Sequence, residues 1–268
     1  MHLLFDIGGT NMRLAAANRT EILQIKKCST PPNFREAMAV FRQLAEKLIR
    51  GQAWDDAAGC TPGPLDAKLT KMVSAPNLPG WNNKPLKKNL EQILKCKVVI
   101  MKDVSAAVLG EANFGAGKGK RIVAYFTVST GVGGARAING RVDETTAWAE
   151  PGYQIIKHDD PYGFIEGLVS GTGLKRRYKK EAVNIKDKRV WAEAARLLAI
   201  GVHNTIVHWQ PDVVVIGGSV MKKLPIDKVR QEVKRILKIY KKPPLIKRAA
   251  LGDLAGIYGA LARLNQDK

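Results

Sequence analysis

Cysteine is scarce in this chain of 268 residues. Cys28, Cys60 and Cys96 form no CxxC pair and no even-numbered framework, which argues against a disulfide scaffold and against a cysteine-rich zinc site. Long hydrophobic runs are missing too, since none approaches the roughly 20 residues a membrane-spanning helix needs. The opening MHLLFDIGGT passes from Met1 straight into patterned sequence. A soluble, cytoplasmic chain with no membrane partner is expected. Acidic residues are outnumbered, 24 Asp and Glu against 44 Lys and Arg, a formal net charge of +20. With 45% hydrophobic residues, that imbalance does not imply disorder, and the length suffices for one large core or two smaller ones.

The basic residues bunch at 175–189 and 222–248. Such charge attracts nucleic acid, anionic surfaces or polyanionic substrates. In IDKVRQEVKRILKIY, however, Ile226, Val229, Val233, Ile236, Leu237 and Tyr240 recur at helical spacing, so the cations fall on the solvated face of a helix over 226–240. No aromatic residues are interleaved as a base-stacking platform would require, and nucleic acid is disfavoured as a partner.

Hydrophobic patterning gives strands at LLFDIG, MRLAAAN and EILQIKKC, a helix at FREAMAVFRQLAEKLIR, then strands at DAAGC and KVVIMK and a helix starting near Val104. The second half repeats the order: RIVAYFTV, ARAIN and a strand around RVDE, a long helix at 189–209, the strand VVVIGG and the 226–240 helix. The repeat predicts two like α/β domains sharing a ligand across a cleft: a small one over 1–112, completed by a C-terminal helix at 253–265, and a larger one over 113–268.

Neither common phosphate motif is present. GxxxxGK[ST] does not occur, and the glycines of Asp6-Ile7-Gly8-Gly9-Thr10-Asn11 lead into a strand, unlike those of the dinucleotide fingerprint. Paired glycines bring backbone N–H groups close to an anion, a hydroxyl adds a donor, and a carboxylate such as Asp6 can hold magnesium through water. An ordinary hairpin explains the segment equally well. The run GAGKGK at 115–120 reads as a flexible basic loop. At the same place in the second repeat stands Ser129-Thr130-Gly131-Val132-Gly133-Gly134, and the match favours two turns gripping one polyphosphate. Gly217 and Gly218 follow at a strand's C-terminal end, where a nucleoside can rest. His203 and His208, five apart on one helix, do not share a face and read as ordinary helix residues.

The blocks DIGGTN, TPGPLD, APNLPGWNNKPL, KDVSAAVLGEANFGAG, TVSTGVGG, AEPGY, IEGLVSG, VVVIGGSV and LGDLAGIYGAL, in that order over nearly the whole chain, resemble the ROK family of sugar kinases within the actin-like ATPase superfamily. The resemblance implies two actin-like (ribonuclease H-like) domains and ATP with magnesium. It also implies transfer of the γ-phosphoryl group to a hexose hydroxyl, glucose by default. Asp103 matches the family's general base, and Asn77, Glu150 and Glu166 match sugar-binding positions. Two candidate substrate positions depart from the pattern, Lys102 where the family usually has Asn and Tyr153 where it usually has His. The family's cysteine zinc cluster is replaced by HDDPYGFIE, so no zinc is expected. Strand alternation carried on to Asp103 turns Lys102 to the opposite face, away from the pocket, and predicts a neutral acceptor. The alternatives are a silent sugar-binding or regulatory protein of the same fold and a polyphosphate-dependent glucokinase. DNA-binding members carry a further N-terminal segment ahead of DIGGTN, which here begins at residue 6, so the regulator is disfavoured. A homodimer stays open.

Overall fold

A computed structural model describes residues 1–49, 51–146 and 148–266. The chain divides into two compact units. The first comprises Met1–Gly110 with the C-terminal stretch from Asp253, and the second Glu111–Gly252.

In the first unit β1 (His2–Ile7), β2 (Asn11–Ala17) and β3 (Ile22–Ser29) form an antiparallel meander. β4 (Asp56–Thr61) then pairs parallel with β1, and β5 (Lys97–Lys102) parallel with β4. Alternation along β1 puts Leu3, Phe5 and Ile7 into a core closed by Met38, Phe41 and Leu48 of α1 (Phe34–Ile49) and Leu86, Leu90 and Leu94 of α2 (Leu86–Leu94). Phe5 and Phe41 meet edge to face, centroids 5.8 Å apart. α3 (Asp103–Asn113) follows β5 without a loop, and α8 (Ala255–Leu264) packs on β1 and β4.

The second unit repeats this order. β6 (Ile122–Val128), β7 (Val132–Ile138) and β8 (Arg141–Val142) form the meander, and β9 (Val213–Gly217) and β10 (Leu245–Arg248) add in parallel. The two sheets, β3-β2-β1-β4-β5 and β10-β9-β6-β7-β8, have one topology, the second read from the opposite edge. Each is the mixed α/β sheet of the actin-like fold. α4 (Ile165–Val169), α5 (Gly171–Tyr178), the 22-residue α6 (Lys188–Trp209) and α7 (Ile226–Ile236) complete the unit. Asp187 starts α6 by accepting from the Arg189 N–H at 2.8 Å, and Gln210 ends it in a left-handed conformation.

Three expectations need correction. α7 stops at Ile236, not at 240: Leu237 is extended, and Pro243 and Pro244 draw the chain towards β10. Leu237 and Tyr240 still reach the core, from a non-helical segment, so their spacing imitated a longer helix. The run at 115–120 is not a loose loop. The fully buried carboxylate of Glu111 accepts from the N–H groups of Ala116 (2.7 Å), Ala250 (3.1 Å) and Leu251 (2.9 Å), tying that run to the segment after β10. Lastly, α3 begins at Asp103 itself, so strand alternation does not pass from Lys102 to Asp103. The Lys102 side chain is buried, at 9% exposure, at the end of β5.

Glu111→Gln keeps the shape of that side chain but places an amide NH₂ among three donors. The variant is expected to lose about 2–4 kcal/mol of unfolding free energy, measured by denaturant titration. A loss below about 0.5 kcal/mol would mean that the carboxylate is not what closes these loops.

Candidate functional site

In the first unit the candidate residues gather around the β1–β2 turn. Gly8 N–H donates to Asn11 O at 2.8 Å, closing it. Thr30 fastens it from the end of β3, its hydroxyl donating to Gly8 O (2.7 Å) and its N–H to Thr10 O (2.9 Å). At Gly9 the turn abuts Asn77: a Cβ there would lie 2.8 Å from the Asn77 Cβ, so only glycine permits the approach. Asn77 sits on a loop held by Ala75 N–H donating to Asn82 Oδ1 (2.8 Å) and anchored by the fully buried Trp81, whose indole donates to Pro31 O. Asp103 opens α3 and is exposed. Its Oδ1 accepts from the Val104 N–H at 2.7 Å, which fixes the carboxylate at the helix start.

Asp6, at the end of β1, lies beneath the turn. Arg13 donates to its Oδ2 (3.3 Å) and reaches Asp253 (3.1 Å), while Cys60 donates to its Oδ1 (3.4 Å). Burial raises the Asp6 carboxyl above its ordinary range, against the opposing pull of Arg13 and of the Cys60 hydrogen bond. Burial also pushes the Cys60 thiol well up, so it stays protonated and donates. With both oxygens already accepting, Asp6 suits a cation held through water better than a direct ligand cage.

The second unit builds a counterpart turn at Ser129–Gly131, closed by Ser129 N–H to Gly131 O at 2.8 Å. The first amides of α5 fasten it, Gly171 N–H to Ser129 O (2.7 Å) and Thr172 N–H to Thr130 O (3.2 Å). After β9, Gly218 turns at φ +97° and packs on Val128, and Ser219 Oγ lies 3.1 Å from Ser129 Oγ. Thr130, Thr172, Lys175, Val183, Trp191 and Ser219 border a cleft of about 640 Å³. Thr172, Val183 and Ser219 were not singled out from the sequence, and Lys175 stood there only as part of the basic run at 175–189. The hydroxyl after Gly217-Gly218 and the GTG that starts α5 were the available signals. Gly133 continues into β7 beyond the turn.

Three predicted sugar positions of this unit share one scaffold. Glu166 sits in the first turn of α4 and accepts from the Val132 N–H at 2.7 Å, so it presses on the glycine turn from behind. Glu150 is exposed before the turn Pro151–Tyr153. Tyr153 stacks on Phe164, centroids 5.1 Å apart and planes 3° off parallel, and is 60% exposed. The two segments pair, with Ile155 bridging Phe164 and Ile165 N–H donating to Gln154 O. The intervening HDDPYGF run is tied by its own contacts: Ile156 and Lys157 donate to Gly163 O, Asp160 Oδ1 accepts from Tyr162 N–H, and the Arg176 guanidinium lies 3.5 Å from the Tyr162 ring centroid. No group of three or more metal-binding side chains occurs among the described residues.

The ROK family model matches residues 3–267. The chain belongs to the ROK family. It is 30% identical to the fructokinase of Zymomonas mobilis over 281 residues, 95% of this chain and 93% of that one. Among solved structures it is similar to a ROK hexokinase from Thermus thermophilus (TM-score 0.88, 28% identity, 99% of both chains). It is similar too to a ROK glucokinase from Streptomyces griseus in complex with glucose and AMPPNP (TM-score 0.81, 25% identity, 100% and 99% of the two chains). ROK relatives are named for different sugars, so membership makes the chain a member of a sugar-kinase family and leaves the sugar to its own residues.

Proposed function

We propose that the chain is an ATP-dependent hexose kinase acting on a neutral hexose, glucose first, with Asp103 as general base. The observation that carries the reading is Asp103 itself, an exposed carboxylate pinned at a helix start directly after a core strand. Phosphoryl transfer asks a protein mainly for positioning and charge stabilisation. Asp103 accepts the hydroxyl proton as the sugar oxygen bonds to the γ-phosphorus of ATP and the bond to the β-phosphate oxygen breaks, releasing ADP. Magnesium, held near Asp6 through water, would neutralise phosphate charge. The turns at Gly8–Asn11 and Thr130–Gly131 offer backbone amides to phosphates, with Gly133, Gly217 and Gly218 shaping the approach. The donor is read as ATP over polyphosphate because Val183 and Trp191 give the 640 Å³ cleft apolar walls that suit a nucleoside and serve no purpose for bare phosphate. Of the predicted sugar contacts, Asn77 donates and accepts hydrogen bonds, while the carboxylates of Asp103, Glu150 and Glu166 accept them from hydroxyls and repel anions. Tyr153 offers one more hydroxyl, while Lys102 is buried.

A phosphorylation panel tests this, crossing glucose, mannose, fructose, N-acetylmannosamine and glucose 6-phosphate with ATP and polyphosphate. Turnover of glucose or mannose with ATP is expected. Activity confined to the charged sugar would refute the neutral acceptor, and strong polyphosphate turnover with little from ATP would refute the donor.

A further inference from the structure

The basic residues of the second unit are not all alike. On α7 three of the four cations are matched among the described residues, Lys228 and Arg235 both pairing with Glu232 and Arg230 with Asp227, and only Lys234 is not. At the opposite end of the sheet from the Ser129–Gly131 turn they are not. There the chain segments entering β6, β9 and β10 converge on a groove of about 720 Å³ bordered by Lys120, Arg121, Tyr240 and Lys242. Lys118, Lys238 and Lys241 adjoin it in sequence and are exposed. None of these six cations takes part in an ion pair among the described residues. The single acid in the lining, Asp212, is engaged by the Ile122 N–H at 2.9 Å. Pro211, Pro243 and Pro244 stiffen the walls, which lowers the entropy lost when a ligand is bound.

We propose that this groove is a second anion site, for a short chain of adjacent phosphates, separate from the site of phosphoryl transfer. Unpaired cations this close repel one another, and a ligand with several contiguous charges relieves that repulsion by more than a single phosphate does. The concavity has the volume of a small-molecule site, about 300–1,000 Å³, and its rim carries no row of aromatic residues on which the bases of a single strand would stack. β6 runs its seven residues between this end and the glycine turn, about 20 Å, so one short oligophosphate does not occupy both places.

Inorganic tripolyphosphate is the probe, titrated calorimetrically into the full chain saturated with AMPPNP. One binding event per chain is expected, weakening about tenfold or more between 50 and 200 mM salt as counterion release requires. Lys120→Glu combined with Lys242→Glu should abolish it and leave AMPPNP affinity unchanged. The half-step Lys120→Gln with Lys242→Gln, a milder surface change, should weaken it at least fivefold. No heat in the presence of AMPPNP would overturn the proposal, as would parental binding by either double variant. Displacement of tripolyphosphate by a short DNA duplex that binds more tightly would overturn it in favour of a nucleic-acid surface. Should AMPPNP itself fail to bind, the proposed kinase function fails, and the same variants titrated without nucleotide still decide the groove.

Discussion

Asn in place of Asp103 is expected to lower kcat by about 10²- to 10⁴-fold, the size of a general-base contribution, with AMPPNP affinity unchanged within a factor of two. The substitution separates two roles. Asn keeps an oxygen to accept the Val104 N–H, so the start of α3 survives, but it cannot take a proton from a sugar hydroxyl. Thermal stability should therefore hold while turnover collapses. Steady-state kinetics with glucose and ATP, alongside a melting curve, give the result. Parental kcat would make Asp103 a helix cap only, and equal losses of kcat and stability would show that the helix start had failed.

The second large effect is expected at Gly218. Its φ of +97° and ψ of 161° lie in a region reserved for glycine, and a Cβ there would stand 2.3 Å from Val128 O and 2.6 Å from Val128 N. Val128 cannot yield, because it is the last paired residue of β6 before the Ser129–Gly131 turn. Gly218→Ala should cost about 2–4 kcal/mol of stability, strain and overpacking together, and weaken AMPPNP binding by an order of magnitude or more as the turn shifts. Gly119→Ala is the control. Gly119 also has positive φ, +78°, but nothing lies within 4 Å of its would-be Cβ, so only backbone strain of about 1 kcal/mol is expected, with nucleotide affinity kept. Equal losses of affinity in both variants would show that contact with Val128 is not what holds the turn.

Much of this molecule was legible in one dimension because its information is local. Short apolar runs in LLFDIG and VVVIGG mark strands whatever surrounds them, and glycine pairs mark turns that few other residues allow. The repeat of one strand order in both halves already states the duplicated sheet. Where a residue's environment depends on chain from elsewhere, that reading stopped. Leu237 and Tyr240 keep helical spacing outside a helix because prolines further along redirect the chain while the core still attracts apolar side chains. Lys102 is buried because the strand gives way to a helix at Asp103, a change of period that alternation cannot foresee. Nothing in the spacing singles out Glu111, and only folding brings the N–H groups of Ala116, Ala250 and Leu251 to it, since the last two lie well over a hundred positions away. The same holds for the cleft wall at Thr172 and Ser219 and for the groove at Lys120 and Lys242. Sequence thus determined the elements, their duplication and the residue types able to handle phosphate and sugar. Tertiary structure alone decided which of those charges are buried, which are paired and which stand unmatched, because desolvation and Coulomb attraction depend on distances that spacing along the chain does not contain.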